Sequence, residues 1–411
     1  MGTMTPHELS MLSYNDCWEL FKQRAFGANE EELTELVVIG KEIVQKCGGV
    51  PLATIALGSL LRFKRDKKEW LYIKESKLWS LQGENGVMPA LRLSYLNLPI
   101  KLRQCFSLCA LFPKDYIINK QFVIELWIAN GFISSNEMLD AEDIGNDMHD
   151  LVHDLAQSVT EDVYCITEDN GAPTSKRIRH ISMCGGNTCK DVIRFPNIKS
   201  LKTCITRDRY FNVDKLLPNI LKCYSLRVLD YQQKENLSSS IGHLRYLSYL
   251  NLSRGGFKTL PESLCELWNL QILKLDYCSQ LQNLPNNLTR LEALQHLSLN
   301  DCSSLSSLPS SISKLTSLRT LTMYIVGKKR GSLLAELAHL TLKGELHLKH
   351  LERVKNVTDS KEANMSRKYI NHLRLSLGAN EESELQENVE QIAEMLQPHG
   401  QQLQFLGVEG Y

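Results

Sequence analysis

Two hydrophobic rhythms divide the chain. Up to about residue 160, apolar positions recur at helical spacing. In "LTELVVIGKEIVQKC", Leu33, Leu36, Val37, Ile43, Val44 and Cys47 fall on one face of a 3.6-residue period, which predicts an amphipathic helix. Gly48 and Gly49 end it, because glycine enters the left-handed conformation of a C-cap without a Cβ penalty. Pro51 suits the first turn of a second helix reaching Leu61, where its missing N–H costs nothing. "LRQCFSLCALFPKDY" reads as a helix stopped by Pro113. "NKQFVIELWIANGFI" reads as another, with Asn119 as N-cap and Gly131 as C-cap.

From about residue 178 the period changes. The pattern Leu-x-x-Leu-x-Leu begins at 226, 247, 270, 294 and 318, so successive starts lie 21, 23, 24 and 24 residues apart. Each unit carries a second segment, such as "LPESLCEL" at 260 and "LPSSISKL" at 308. This is the signature of leucine-rich repeats: each unit forms one short parallel strand and one irregular or helical return, and no unit buries its leucines alone. Degenerate units flank the regular five, at "IRHISM" (178), "INHLRL" (370) and "LQFLGV" (403). Cys278 and Cys302 fall three residues beyond the last strand leucine, where the repeat takes Asn or Cys to satisfy backbone groups, so they read as structural thiols. The final strand runs close to Tyr411 with no polar capping unit, which reads as a cut solenoid.

Alternation along each strand turns the residues between the leucines to the other side. Val228, Asp230, Tyr249, Asn251, Ile272, Lys274, His296, Ser298, Thr320 and Thr322 are therefore expected on one concave face open to a protein partner. Tyr249 is the foremost contact, since tyrosine offers a large rigid surface at little entropic cost. Lys274, on that open face, is expected to add about 0.5 kcal/mol or less to stability.

Composition sharpens this picture in a few places. The 411 residues, 43% hydrophobic and 23% charged, suffice for two or three domains with substantial cores. Lys+Arg and Asp+Glu both number 47, and this balance argues against a general nucleic-acid binder. Twelve cysteines without a CxxC pair suit reduced thiols in the cytosol. "MGTMTPHELSML" lacks the features of a signal peptide, and the most apolar stretch, "PLATIALGSLL", is too short to span a bilayer. The expected location is cytoplasmic, where the sequons at Asn236, Asn251, Asn287, Asn356 and Asn364 carry no weight.

One segment carries candidate chemistry. In "MHDLVHDLA" (148–156), His149 and His153 share a helix face, as do Asp150 and Asp154. Two histidines at this spacing bind zinc when a third ligand and a general base are supplied, but no Glu flanks either one. A metal-dependent hydrolase using His149 and His153 is thus one reading, and a helix with ordinary surface histidines is another.

"CGGVPLA" (47–53), "CFSLCALFPKDY" (105–116), "LWIANGFI" (126–133) and "MHDLVHDLA" closely resemble, in order, the later motifs of plant nucleotide-binding leucine-rich-repeat disease-resistance proteins of the coiled-coil class. "PHELSMLSYNDCWELFKQRAFG" (6–27) resembles the stretch entering the helical part of their NB-ARC module. The resemblance implies a helical and winged-helix NB-ARC remnant followed by an α/β leucine-rich-repeat solenoid. Its boundaries are 1–90 for the helical part, 91–160 for an incomplete winged-helix part, and 161–411 for the repeats. It also implies an ADP/ATP switch in which Pro51 lies against adenine, His149 senses the ADP phosphates and Asp150 supports the local fold. His153 and Asp154 would then be ordinary helix residues. The partner would be a pathogen effector or a guarded host protein, held by the repeats.

The departures from the family are equally specific. No G-x-x-x-x-G-K-[ST] occurs, the acidic metal-positioning strand is missing, and "AEDIGND" runs directly into "MHDLVHDLA" where the family inserts further structure. Phosphate cradling by successive N–H groups with Lys and Mg²⁺ is thereby lost, so tight ADP or ATP binding and NTPase activity are not expected. The expectation is a non-enzymatic immune receptor-like protein or fragment, truncated at the N-terminus. A degenerate NTPase, an extracellular repeat protein and a non-functional truncated product are the alternatives.

Overall fold

The computed structural model describes residues 10–26, 34–80, 87–114, 116–134, 150–160, 163–167, 178–183, 198–206, 217–231, 237–354, 357–378, 389–397 and 403–409. Among the described residues, eight α-helices lie in the first 160: α1 (Tyr14–Phe26), α2 (Thr34–Lys46), α3 (Pro51–Leu61), α4 (Lys67–Lys74), α5 (Val87–Asn97), α6 (Ile100–Leu108), α7 (Lys120–Asn130) and α8 (Asp150–Ser158). Residues 1–118 and 145–161 form one compact unit; 119–144 and 162–411 form the other. This division differs from the boundaries at 90 and 160 drawn from sequence. Val50, Leu52 and Ala56 pack with Val87 and Leu91, so α5 joins the helices before it, whereas α7 groups with the repeats.

The helix signals in the sequence take effect as local chemistry. Gly48 and Gly49 have φ of 62° and 82° and end the turn after α2, and Pro51 starts α3. The Asn119 side chain accepts from Phe122 N at 3.0 Å, and Gly131 (φ 75°) closes α7 in the left-handed conformation. In the helical unit, Trp70 stacks on Phe26 (5.5 Å between centroids), meets Phe21 edge-on, and donates its indole N–H to the Lys64 carbonyl at 2.7 Å. A buried indole with its polar tip satisfied fixes this core without a desolvation penalty.

The repeat unit carries β1 (Tyr164–Thr167), β2 (His180–Met183), β3 (Thr203–Thr206), β4 (Val228–Asp230), β5 (Tyr249–Asn251), β6 (Ile272–Lys274), β7 (His296–Ser298) and β8 (Thr320–Leu321) as one parallel sheet in chain order. A second parallel sheet follows, of β9 (Met323–Ile325), β10 (Lys343–Lys349), β11 (Tyr369–Ser376) and β12 (Phe405–Glu409). Returns are short 3₁₀ turns such as Glu262–Glu266 and Ile312–Lys314. Leu229, Leu250, Leu273 and Leu297 stand in register and are fully buried.

The ladder breaks at Thr322, within a stretch that reads as one strand in the sequence. The Thr322 hydroxyl accepts the Leu299 N–H at 2.8 Å, and the Thr322 carbonyl accepts from His347 N at 2.9 Å. A side chain thus takes the bond that the β7–β8 ladder would use, and the chain re-pairs with β10 one residue later. Cys278 and Cys302 are fully buried and donate to the Leu252 and Leu275 carbonyls at 3.4 and 3.0 Å. Burial pushes their thiols up to about 11 and about 12, which suits inert structural groups.

Candidate recognition surface

Nine of the ten residues expected on one sheet face share it, and Thr322 falls at the break in the ladder. Val228, Tyr249, Ile272, His296 and Thr320 form one row across the strands, and Asp230, Asn251, Lys274 and Ser298 the next. Their exposure differs from the expectation of an open face. Val228, Tyr249 and Ile272 are fully buried, and Asp230 and His296 nearly so; Asn251, Lys274, Ser298, Thr320 and Thr322 are half-buried.

The physical reason over β4–β6 is α7. Phe122 meets the Tyr249 ring at 6.1 Å, and Lys274 Nζ lies 2.6 Å from Glu125 Oε2 while standing over the Tyr249 ring at 5.9 Å. At the other end of the helix, Arg227 Nη1 donates to the Asn130 carbonyl at 2.7 Å, and Thr203 Oγ1 bonds Asn130 Oδ1 at 3.1 Å. The His180 ring shares that network through Thr203 at 2.9 Å, and burial with the nearby Lys202, Arg179 and Arg227 holds it down at about 3. Lys274 is therefore a partner of a buried carboxylate rather than a free surface cation. Burial lifts the Glu125 carboxyl above the ordinary range, and the Lys274 ammonium opposes that lift. The Tyr249 hydroxyl is fully buried, and burial, with Asp230 and Glu125 nearby, holds its ionisation well above the ordinary value.

Among the described residues, the solenoid is most exposed over β10 to β12. A cleft of about 590 Å³ is lined among others by Tyr277, Asp301, His347, Lys349, Arg374 and Phe405. Inward leucines alternate with these polar residues along β10 and β11, as Leu346, Leu348, Leu373 and Leu375 are buried. Arg374 Nε lies 3.4 Å from Glu409, and His372 Nδ1 lies 3.2 Å from Glu345. The His347 Nε2 bonds Ser376 Oγ at 2.9 Å, and burial, then Lys349, pushes that imidazole down to about 4. It is neutral at physiological pH and offers a fixed hydrogen-bonding edge. The sequence reading missed this cleft because β10 lacks the full leucine pattern; the alternation in "ELHLK" was the signal available.

In the helical unit, Pro51 is exposed at the start of α3. His149 lies outside the described residues, and Asp150 opens α8. His153 is buried, and its Nε2–H donates to the Phe112 carbonyl at 2.7 Å, tying α8 to the "CALFP" turn. Asp154 lies 3.7 Å from Lys114. Only Nδ1 of His153 is left for another role. Among the described residues, no group of three His, Cys, Asp or Glu is arranged to hold a metal, and no helix is long and apolar enough to cross a membrane.

Comparison with known proteins gives the geometry a lineage. A family model described as a leucine-rich repeat region matches residues 210–405, and one for the winged helix domain of disease resistance proteins matches residues 111–148. "Disease resistance protein RGA2" of Solanum bulbocastanum is 42% identical over 427 residues, covering 97% of this chain and 42% of the relative. "Putative disease resistance RPP13-like protein 1" of Arabidopsis thaliana is 36% identical over 449 residues, covering 98% of this chain and 42% of the relative. The chain thus spans less than half the length of these relatives. Over the part it shares with them, a disease-resistance winged-helix region followed by leucine-rich repeats, this chain belongs to the plant disease-resistance proteins.

Proposed function

We propose that this chain is a recognition component of plant defence that holds a protein partner on the distal half of its repeat surface. One observation carries the reading: α7 occupies the concave face at β4–β6, while among the described residues the face from β10 to β12 stays exposed as a polar cleft with aromatic walls. A cleft with paired charges and rigid hydrogen-bonding groups suits a polypeptide surface better than a small reactive substrate. The partner is a pathogen protein or a host protein that it modifies, met in the cytoplasm. The chain is not an enzyme in this reading. The test compares wild type with Arg374→Ala and His347→Ala as baits in extracts of infected leaf. A partner retained by wild type and lost from both variants is expected; retention by both would remove the cleft from recognition.

The helical unit with α8 is proposed to be the remnant of an NB-ARC switch that does not hold ADP or ATP tightly. A phosphate contact from His149 contributes about 1.5–3 kcal/mol, whereas micromolar affinity needs about 8 kcal/mol. The phosphate-cradling loop and its lysine would have supplied most of the difference, and neither occurs in the sequence. Calorimetry with ADP on wild type and His149→Ala decides the point. Low-micromolar binding by wild type, abolished in the variant, would overturn the proposal.

A further inference from the structure

The same turn recurs in five successive coils just ahead of the strand. In each, the N–H of the first strand leucine bonds the carbonyl three residues back: Leu226 to Cys223, Leu247 to Leu244, Leu270 to Leu267, Leu294 to Leu291 and Leu318 to Leu315, at 2.8–3.0 Å. The closing residues on both sides are buried, so the turn centres sit on a fixed frame. In the last two turns the centres are Glu292–Ala293 and Thr316–Ser317. In the first three they carry Tyr224, Tyr246 and Trp268, which are 60%, 62% and 72% exposed.

The repeat itself does not need aromatics here, as the two following coils show. The strands after these turns pair in register from Val228 through Tyr249 to Ile272, so adjacent turns stack about 5 Å apart and the three turns that carry the rings span about 10 Å, with Tyr224 and Trp268 at the first centre and Tyr246 at the second. Three exposed cations accompany the row: Lys199, whose carbonyl accepts from the Ser225 hydroxyl, Lys222, and Arg245, whose carbonyl accepts from the Asn269 amide. None of the three forms an ion pair among the described residues.

We propose that this row of turns is a docking site for a second protein whose face is acidic around an apolar centre. Trp, Tyr and Arg are the residues that dominate protein interfaces, and rigid turns present them without an ordering cost. Charge selects the partner: a second copy in a two-fold contact would set the same three cations against each other. An anionic membrane would meet Glu266, exposed two residues before Trp268, whereas a protein face can place a cation opposite it. This site lies outside the concave face and is independent of the recognition proposed there.

A phage-displayed library of random dodecapeptides panned on the full chain tests the proposal. All three substituted rings are exposed, so Tyr224→Ser/Tyr246→Ser/Trp268→Ser should melt like wild type. The expected peptides combine Asp or Glu with Leu, Ile or Phe. Their affinity should fall about tenfold in Trp268→Ser and vanish in the triple variant. Their binding should also shift indole emission to the blue in wild type but not in Trp268→Ser. Peptides retained equally by the triple variant, enrichment of basic peptides, or no enrichment would overturn the proposal. So would binding of phosphatidylserine vesicles that requires the three rings while no peptide is selected.

Discussion

Lys274→Met is the most informative single change in the repeat unit. Methionine keeps most of the stem that lies over Tyr249 but removes the ammonium 2.6 Å from Glu125. Breaking a buried ion pair from one side typically costs about 3–5 kcal/mol, because the other charge is left without compensation. Here the Lys274 side chain is 23% exposed and Glu125 can take up a proton, so a loss of about 2–3 kcal/mol is expected at pH 8. The sign of the pH dependence follows from Glu125. Its folded carboxyl already titrates above the unfolded one, and losing Lys274 raises it further. Between those two values the folded state binds more protons, so stability falls as pH rises and recovers as pH drops toward the unfolded value. The deficit of the variant should shrink on acidification, by at most about 1.4 kcal/mol per pH unit. Urea denaturation at pH 5 and pH 8 reads this, by circular dichroism and by the emission of Trp127 on α7. Adding Glu125→Gln should restore most of the loss. A deficit under about 0.5 kcal/mol, equal deficits at both pH values, or a double variant no better than the single would refute the buried pair.

Leu273→Ala should cost about 2–5 kcal/mol in the same unit, since the side chain is fully buried between coils; a change within 0.5 kcal/mol in urea melts would break the repeat register. His153→Ala removes the bond to the Phe112 carbonyl and should destabilise the helical unit by about 1–3 kcal/mol, seen as slower protection loss in the repeats than in α8 by hydrogen exchange. Equal effects in both units would contradict its local role. Cys278 and Cys302, buried with raised pKa values, should resist iodoacetamide at pH 7.5 in the native chain and react in urea. Rapid native labelling of either would show that their coils open.

The repeat architecture was legible because its signal is periodic and local. Leucine spacing located β4 to β8, and capping residues such as Asn119 and Gly131 located α7 to the residue. What alternation could not supply was the third dimension. It put Tyr249 and Lys274 on the right face, but whether that face is open depends on a helix more than a hundred residues earlier in the chain. Glu125 sits mid-helix in "FVIELWIAN", where a lone acid among apolar residues was the one sequence hint of a buried partner. The break at Thr322 was equally hidden, because a threonine between strand leucines gives no sign that its hydroxyl will take a ladder bond. The exposed turn aromatics sit at positions where the leucine pattern is silent, so pattern reasoning passed over them.

Photo-crosslinking tests the division of the concave face most directly. The chain would be expressed in leaf challenged with pathogen, carrying p-benzoylphenylalanine in place of His372 in the distal cleft or of Asn251 beside α7. Protein adducts from position 372 and none from position 251 are predicted. Adducts from 251 alone, or none from 372, would contradict recognition by the distal half of the repeats.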